Sequence, residues 1–219
     1  VLAIAREVLA AGALQRDAQA IDLDLGGGLR LVGRIERVFR ARDGGLLLFD
    51  AQPARGSDLR EWLGFHVEWA ALRLALGERI QAAFVESPKD QLPRMPEWLD
   101  ALRAHDEASL RAGLHQLVDL WQASSQRPLL FFPATASADA QAPVGTGGGK
   151  ARKQWEGDGH GRGERDYAPG YAQLVTRGLD LFDRDSAEHA AFVEAVGFVA
   201  GVLDPQRSLL FAQGDDSMS

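Results

Sequence analysis

Two acidic side chains near the ends of neighbouring apolar runs are the residues best suited to chemistry. Glu36 lies within the run Leu29 to Arg40, and Asp50 directly follows the apolar run Leu46 to Phe49. The residues Asp43-Gly44-Gly45 between the runs tolerate positive φ, so we expect a tight hairpin that brings the two strands together. Two carboxylates placed in this way form the acidic half of a Mg²⁺ site, because hard cations prefer oxygen ligands.

The second of these strands resembles the strand that carries the acid-x-Lys motif in nucleases of the PD-(D/E)xK type. The matching positions here are Glu36, Asp50 and Gln52. Glutamine cannot supply the positive charge that orients the attacking water and stabilises charge on the phosphate. Pro53 follows at once and ends the strand. The pattern therefore predicts a nuclease-like scaffold with a degenerate triplet and no catalytic residue.

Three further blocks of sequence follow one another at a spacing that covers nearly the whole chain. They are Gly28 to Ile35 with Glu61 to Val67, the region of Trp121 with Arg127 to Pro133, and Lys150 to Gly157 with Gly163 to Tyr167 and Tyr171. In their order and spacing they resemble the C-terminal domain of RecC, the gamma subunit of the bacterial exodeoxyribonuclease V (RecBCD) helicase–nuclease.

The resemblance implies an α/β fold with a restriction-endonuclease-like PD-(D/E)xK core, in which a mixed sheet is flanked by helices, and a helical C-terminal extension. It also implies a scaffold in the cytoplasm that needs no cofactor. Such a scaffold contacts the RecB and RecD subunits, holds DNA where the strands separate and helps to recognise the Chi sequence during double-strand break repair by recombination. Lys150, Arg152 and Lys153 are then the candidate DNA contacts.

An active Mg²⁺-dependent nuclease is the alternative. It would use Glu36 and Asp50, with a positive charge supplied from elsewhere, and Arg55 is the nearest candidate. Cleavage of DNA that depends on Asp50 would distinguish this enzyme from a scaffold.

Composition sets limits on both hypotheses. The 219 residues are 46% hydrophobic and 25% charged, as in an ordinary globular protein. The absence of cysteine excludes disulfides and thiolate metal sites, and the five histidines lack zinc-ligand spacing. A net charge of −7 argues against strong, indiscriminate binding to duplex DNA, and no run is long and apolar enough for a membrane span. The start at Val1, without an initiator methionine, suggests a piece of something longer.

Hydrophobic periodicity predicts the remaining elements. Strands are expected at Ile21 to Leu25, which should form a hairpin with the run from Leu29, at Arg79 to Glu86 and at Pro128 to Phe132. Helices are expected at Val1 to Leu14, from Ser57, at Glu97 to Leu102, Glu107 to Ser124, Ala168 to Arg177 and Ser186 to Leu203. Trp62, His66, Trp69 and Trp121 fall on helical stripes typical of core packing, and we expect His66 to be buried with its hydrogen bonds satisfied.

The composition changes near residue 134. We expect a nuclease-like core over residues 1–133, a flexible loop over 134–149 and a helical extension over 150–219. Gly145 to Ala151 departs from a phosphate-binding loop because Val144 replaces its first glycine and Ala151 its Ser/Thr. The basic residues from Lys150 to Arg165 alternate with acids, which favours an ordinary solvated surface over a DNA site. Leu209-Leu210-Phe211 is a candidate docking element.

Overall fold

A computed structural model describes residues 15–41, 44–52, 58–86, 94–140, 148–158, 161–167, 170, 173 and 176–204. Several predictions lie outside these residues: the helix Val1 to Leu14, Ser57 as a helix start, Arg55, and the docking element Leu209-Leu210-Phe211. Most of the predicted helix Ala168 to Arg177 also lies outside them.

The described strands form two sheets. They are β1 (Gln15–Arg16), β2 (Gln19–Gly26), β3 (Leu29–Ile35), β4 (Val38–Arg40), β5 (Leu46–Gln52) and β6 (Ile80–Glu86). Four of them form a mixed sheet in the order β1-β4-β5-β6, and β2 pairs with β3 in a separate hairpin. The chain is thus α/β with a mixed sheet, as expected.

The main sheet combines antiparallel and parallel pairs. Strand β4 runs antiparallel to β1 and β5, whereas β5 and β6 are parallel, with Leu48 opposite Ala82. The predicted central position of β5 and the predicted parallel pairing are confirmed. Burial of β5 is uneven, because Leu46 and Leu48 are buried while Leu47 and Phe49 are half-buried. The expectation of full cover on both faces was therefore too strong.

The predicted hairpin of β2 and β3 is confirmed, but the run Leu29 to Arg40 is not one strand. Strand β3 ends at Ile35 and pairs with β2, whereas β4 begins at Val38 and pairs with β1 and β5. The chain therefore passes from one sheet to the other between these two residues. Glu36 and Arg37 occupy this link, which determines where their side chains can reach.

The helices flank the strands in chain order. They are α1 (Leu59–Leu76), α2 (Trp98–Arg103), α3 (Glu107–Ser124), α4 (Pro133–Ala140), α5 (Gly148–Glu156) and α6 (Ala187–Leu203). Helix α3 has the predicted bounds. Helix α6 begins after Ser186, whose hydroxyl oxygen accepts a hydrogen bond from the backbone N–H of His189 at 3.0 Å, the usual way to satisfy a free amide in a first turn.

The strand predicted at Pro128 to Phe132 is wrong. These residues are irregular, and Phe132 is buried by ring contact with Trp155, with centroids 4.3 Å apart, instead of by sheet pairing. Helix α4 then begins at Pro133, a residue favoured in a first helical turn because its missing N–H needs no partner there. The Glu164 carboxylate accepts hydrogen bonds from the amides of Ala134 and Thr135 at 3.1 and 2.7 Å. Helix α4 therefore occupies the start of the predicted loop.

Contacts group the residues into two units, the first from 1–57 with 61–118 and the second from 58–60 with 119–219. In the first, the rings of Phe65, Phe84 and Trp98 lie 5.0–5.8 Å apart and join α1, β6 and α2. In the second, the buried residues include Phe132, Trp155, Phe192 and Val196. The division at residues 133 and 149 stays a prediction.

Candidate functional site

The carboxylate of Asp50 forms an ion pair with an arginine that sequence reasoning missed. Asp50 lies in the second half of β5, opposite Phe84 of β6. The backbone N–H of Phe49 donates to the carbonyl oxygen of Arg37 at 3.1 Å, which holds Arg37 beside β5. From there, the Arg37 guanidinium donates through Nη1 to Oδ2 of Asp50. A positive charge thus contacts the acid that was expected to bind a metal.

The same guanidinium also binds a carboxylate of helix α1. Its Nε donates to Oε2 of Glu68 at 3.1 Å, and its Nη2 lies 2.9 Å from Oε1 of Glu68. This two-pronged geometry matches the planar guanidinium fork to the two carboxylate oxygens. Arg37 therefore joins the end of β5 to the middle of α1.

Partial burial strengthens this three-residue cluster, which we call the Arg37 cluster. The side chains of Arg37, Asp50 and Glu68 are 34%, 20% and 30% exposed. Burial lowers the pKa of Arg37, but the hydrogen bond from Glu68 and the charges of Asp50 and Glu68 outweigh it, so the pKa is raised. The guanidinium stays charged throughout the physiological range and neutralises much of the acidic charge.

Glu36 binds other arginines. Its carboxylate lies 3.3 Å from Nη2 of Arg16 and 2.9 Å from Nε of Arg34, and the side chain is 51% exposed. Glu36 and Asp50, which were expected to act together, are thus engaged by different cations. Gln52 is half-buried as the last residue of β5 and lies opposite Glu86 of β6.

No local pattern could have revealed the Arg37 cluster. Arg37 and Glu68 are 31 positions apart, and the periodicity of either element predicts only which face is buried. The available signals were weak ones: a basic residue directly after Glu36 and an acid on an otherwise apolar helix.

Comparison with known families now applies to this geometry. The profile of the RecC C-terminal domain matches residues 1–143, which is more than half of the 219 residues. The chain belongs to the RecC C-terminal domain family. No curated protein sequence matches the chain. The predicted resemblance is thus confirmed, and membership of the RecC family implies a role within a RecBCD subunit in recombination repair.

The family match covers the whole Arg37 cluster but ends before α5. Within the described part of this RecC domain, no group of three or more His, Cys, Asp or Glu residues is placed to hold a metal ion. Among the same residues, no helix is both long and apolar enough to cross a membrane.

His66 of this RecC domain is buried, as predicted, but its hydrogen bonds are not satisfied. The side chain is 0% exposed, and neither ring nitrogen has a hydrogen-bond partner among the described residues. The ring of His105 lies edge-on to it with centroids 5.4 Å apart. Burial, with a smaller contribution from His105, lowers the pKa of His66 to about 3. His66 is therefore neutral at physiological pH.

The predicted DNA-contact residues of this RecC domain have different surroundings. Arg152 lies 2.9 Å from Glu156 and 3.0 Å from Asp180, and its guanidinium lies 5.2 Å from the centre of the Phe182 ring. The hydrogen bond to Asp180 raises the pKa of Arg152. Arg152 thus links α5 to the segment before α6, whereas Lys150 and Lys153 point to a groove beside α5.

Proposed function

We propose that this chain is a non-catalytic, nuclease-like module of RecC. In this role it supports assembly with RecB and RecD and helps to hold DNA where the strands separate, during double-strand break repair by recombination. Family membership supports the place of the chain in such a complex. The Arg37 cluster supports the absence of catalysis.

The order of elements supports a nuclease-like core. An antiparallel pair, β4 and β5, is followed by the helix α1 and by a strand, β6, parallel to β5. Asp50 lies on β5, and a helix follows the strand, as in the PD-(D/E)xK arrangement that the sequence predicts. The hairpin of β2 and β3 is then an insertion between β1 and β4.

The single observation that carries the non-catalytic role is the position of the Arg37 guanidinium. It binds Asp50 and Glu68 together, so a divalent cation would have to displace a charged group held by several hydrogen bonds. Gln52 adds no positive charge beside Asp50. The site therefore lacks both a free pair of carboxylates and the lysine that phosphodiester hydrolysis would need.

A nuclease assay tests this proposal. Single-stranded and duplex DNA are incubated with the purified chain and Mg²⁺ or Mn²⁺, alongside the variant Asp50→Ala. We expect no shortening of either substrate by either protein. Cleavage that Asp50→Ala abolishes would overturn the proposal in favour of a nuclease that uses Glu36 and Asp50.

A binding assay tests the assembly role separately. We expect the chain to co-purify with RecB and RecD after co-expression, and we expect deletion of residues 209–211 to weaken recovery of RecD. Failure of the intact chain to recover either subunit would contradict the scaffold role. Unchanged recovery after the deletion would exclude only the docking element.

A further inference from the structure

Three basic side chains of the second unit line one surface groove. Lys150 and Lys153 come from α5, and Arg162 comes from the turn that follows it. The two lysines are three positions apart on the helix, so they lie on the same face. Gln154 and the backbone of Gly157 and Gly161 complete the lining with polar groups. None of the lining residues is aromatic.

The position of Arg162 is set by backbone packing. Residues Gly157 and Arg162 form an antiparallel bridge, and the amide of Gly157 donates to the carbonyl of Lys153 at 2.9 Å. A Cβ on Gly163 would lie 2.0 Å from the carbonyl oxygen of Trp155, so only glycine allows this approach. The indole of Trp155 is buried, which holds the end of α5 in place. The turn therefore returns Arg162 to the face that carries the lysines.

The charge of this groove is not balanced as it is nearby. Arg152 and Arg165 both lie within ion-pair distance of carboxylates. In the groove, Asp158 lies 3.8 Å from Lys153. Among the residues that the structure describes, no carboxylate lies within ion-pair distance of Lys150 or Arg162. The lining thus carries three positive charges and one negative charge.

We propose that this groove binds the phosphodiester backbone of DNA without reading its bases. The lysines and Arg162 supply charge, and Gln154 with the glycine backbone supplies further polar contacts, which are the groups that commonly contact phosphate oxygens. Aromatic side chains, on which unpaired bases stack, are absent from the described lining, so recognition depends on charge alone. The inference rests on the proposed function for the presence of DNA, and it replaces Arg152 by Arg162 among the predicted contacts.

The test compares single charge changes inside and outside the groove. Binding of a fluorescein-labelled duplex to the full chain is followed by anisotropy as the salt concentration is varied. Arg162→Gln is expected to weaken binding by about threefold to tenfold at low salt and to lower the salt slope by roughly one. Arg165→Gln, which removes the same charge three residues away, should leave affinity within about twofold of the wild type, since it removes no groove contact.

Two more variants sharpen the comparison. Lys150→Gln with Lys153→Gln should weaken binding further and lower the salt slope by about two. Asp158→Asn should tighten it, because the amide oxygen can still accept the 3.0 Å hydrogen bond from the Gly161 amide while the negative charge is lost. A duplex of unrelated sequence should bind equally well.

The proposal would be overturned by absence of DNA binding to the wild-type chain, or by equal losses in Arg162→Gln and Arg165→Gln. Competition by polyglutamate as effective as that by DNA would show a surface for acidic protein instead. None of these results bears on cleavage or on recovery of RecB and RecD, so failure here is distinguishable from failure of the proposed function.

Discussion

The imidazole ring of His66 on α1 meets that of His105 edge-on inside the first unit, with centroids 5.4 Å apart. The Nδ1 atom of His105 lies 3.0 Å from the Ser109 hydroxyl, whereas the nitrogens of His66 have no hydrogen-bond partner among the described residues. A proton on His66 would therefore place an uncompensated charge in the core, close to a second histidine.

Stability should consequently fall as the solution becomes acidic. The pKa of His66 is about 3 in the folded protein against 6.5 for a free histidine, so between these values the unfolded chain takes up a proton that the folded chain refuses. The free energy of unfolding should decrease with falling pH, with a slope from this group of up to about 1.4 kcal/mol per pH unit. Above pH 6.5 this contribution should vanish.

Urea unfolding at a series of pH values checks this dependence. In His66→Leu the slope between pH 6 and 4 should be smaller than in the wild type. The control is His115→Gln, because the His115 ring contacts the carbonyl of Leu25 at 2.6 Å and a glutamine can also donate there. Equal slopes in the wild type and His66→Leu would refute the assignment.

Loss of the Arg37 guanidinium should destabilise the first unit. Arg37→Gln leaves Asp50 and Glu68 partly buried without a cation, which we expect to cost about 1–3 kcal/mol of unfolding free energy. Adding Glu68→Gln to the variant should recover part of the loss, because the repulsion between the carboxylates is then removed. Chemical denaturation measures both effects.

Arg16→Gln provides the comparison for Arg37→Gln. Its ion pair with Glu36 is exposed, with side chains 64% and 51% accessible, so the change should cost less than about 1 kcal/mol. A larger loss for Arg16→Gln than for Arg37→Gln would contradict the importance of the Arg37 cluster.

Gly163→Ala should disrupt the turn that carries Arg162. The added Cβ would meet the Trp155 carbonyl at 2.0 Å and the Gly157 amide at 2.4 Å, which are backbone atoms that cannot rotate away. We expect a loss of more than about 2 kcal/mol in the unfolding free energy of the second unit. In Gly149→Ala nothing lies within 4 Å of the new atom, and stability should be unchanged or rise by up to about 1 kcal/mol.

Two tryptophans should respond in opposite ways to truncation. Trp155 is 4% exposed and packs on Phe132, so Trp155→Ala should cost about 3–5 kcal/mol. Trp121 is 71% exposed, and Trp121→Ala should change stability by less than about 0.5 kcal/mol. Thermal unfolding of the two variants measures the difference. Similar losses in both would show that Trp121 is buried in solution.

The expected core role of Trp121 illustrates a limit of helical periodicity. The period correctly places Leu110 and Leu114 in the core, but it extends the stripe along the whole of α3. How far along a helix the core reaches depends on which other elements pack there. The local pattern therefore predicts the direction of a side chain and not whether anything covers it.

Local signals were sufficient for elements whose residues agree with their surroundings. The alternation at Ile21 to Leu25, the apolar run of β5 and the period of α3 each predicted an element that the structure contains. The unsuitable amide at Gln52 and the family resemblance were also visible in the sequence, because both depend on residue type and order alone.

Tertiary structure alone decided the partners. The division of the run Leu29 to Arg40 between two sheets, the burial of Phe132 on Trp155 and the binding of Asp50 by Arg37 all join residues that are not neighbours in an element. Such contacts form because distant segments are brought together by burial of the core. Charge pairing then follows from which segments meet, and the order of residues along the chain does not specify it.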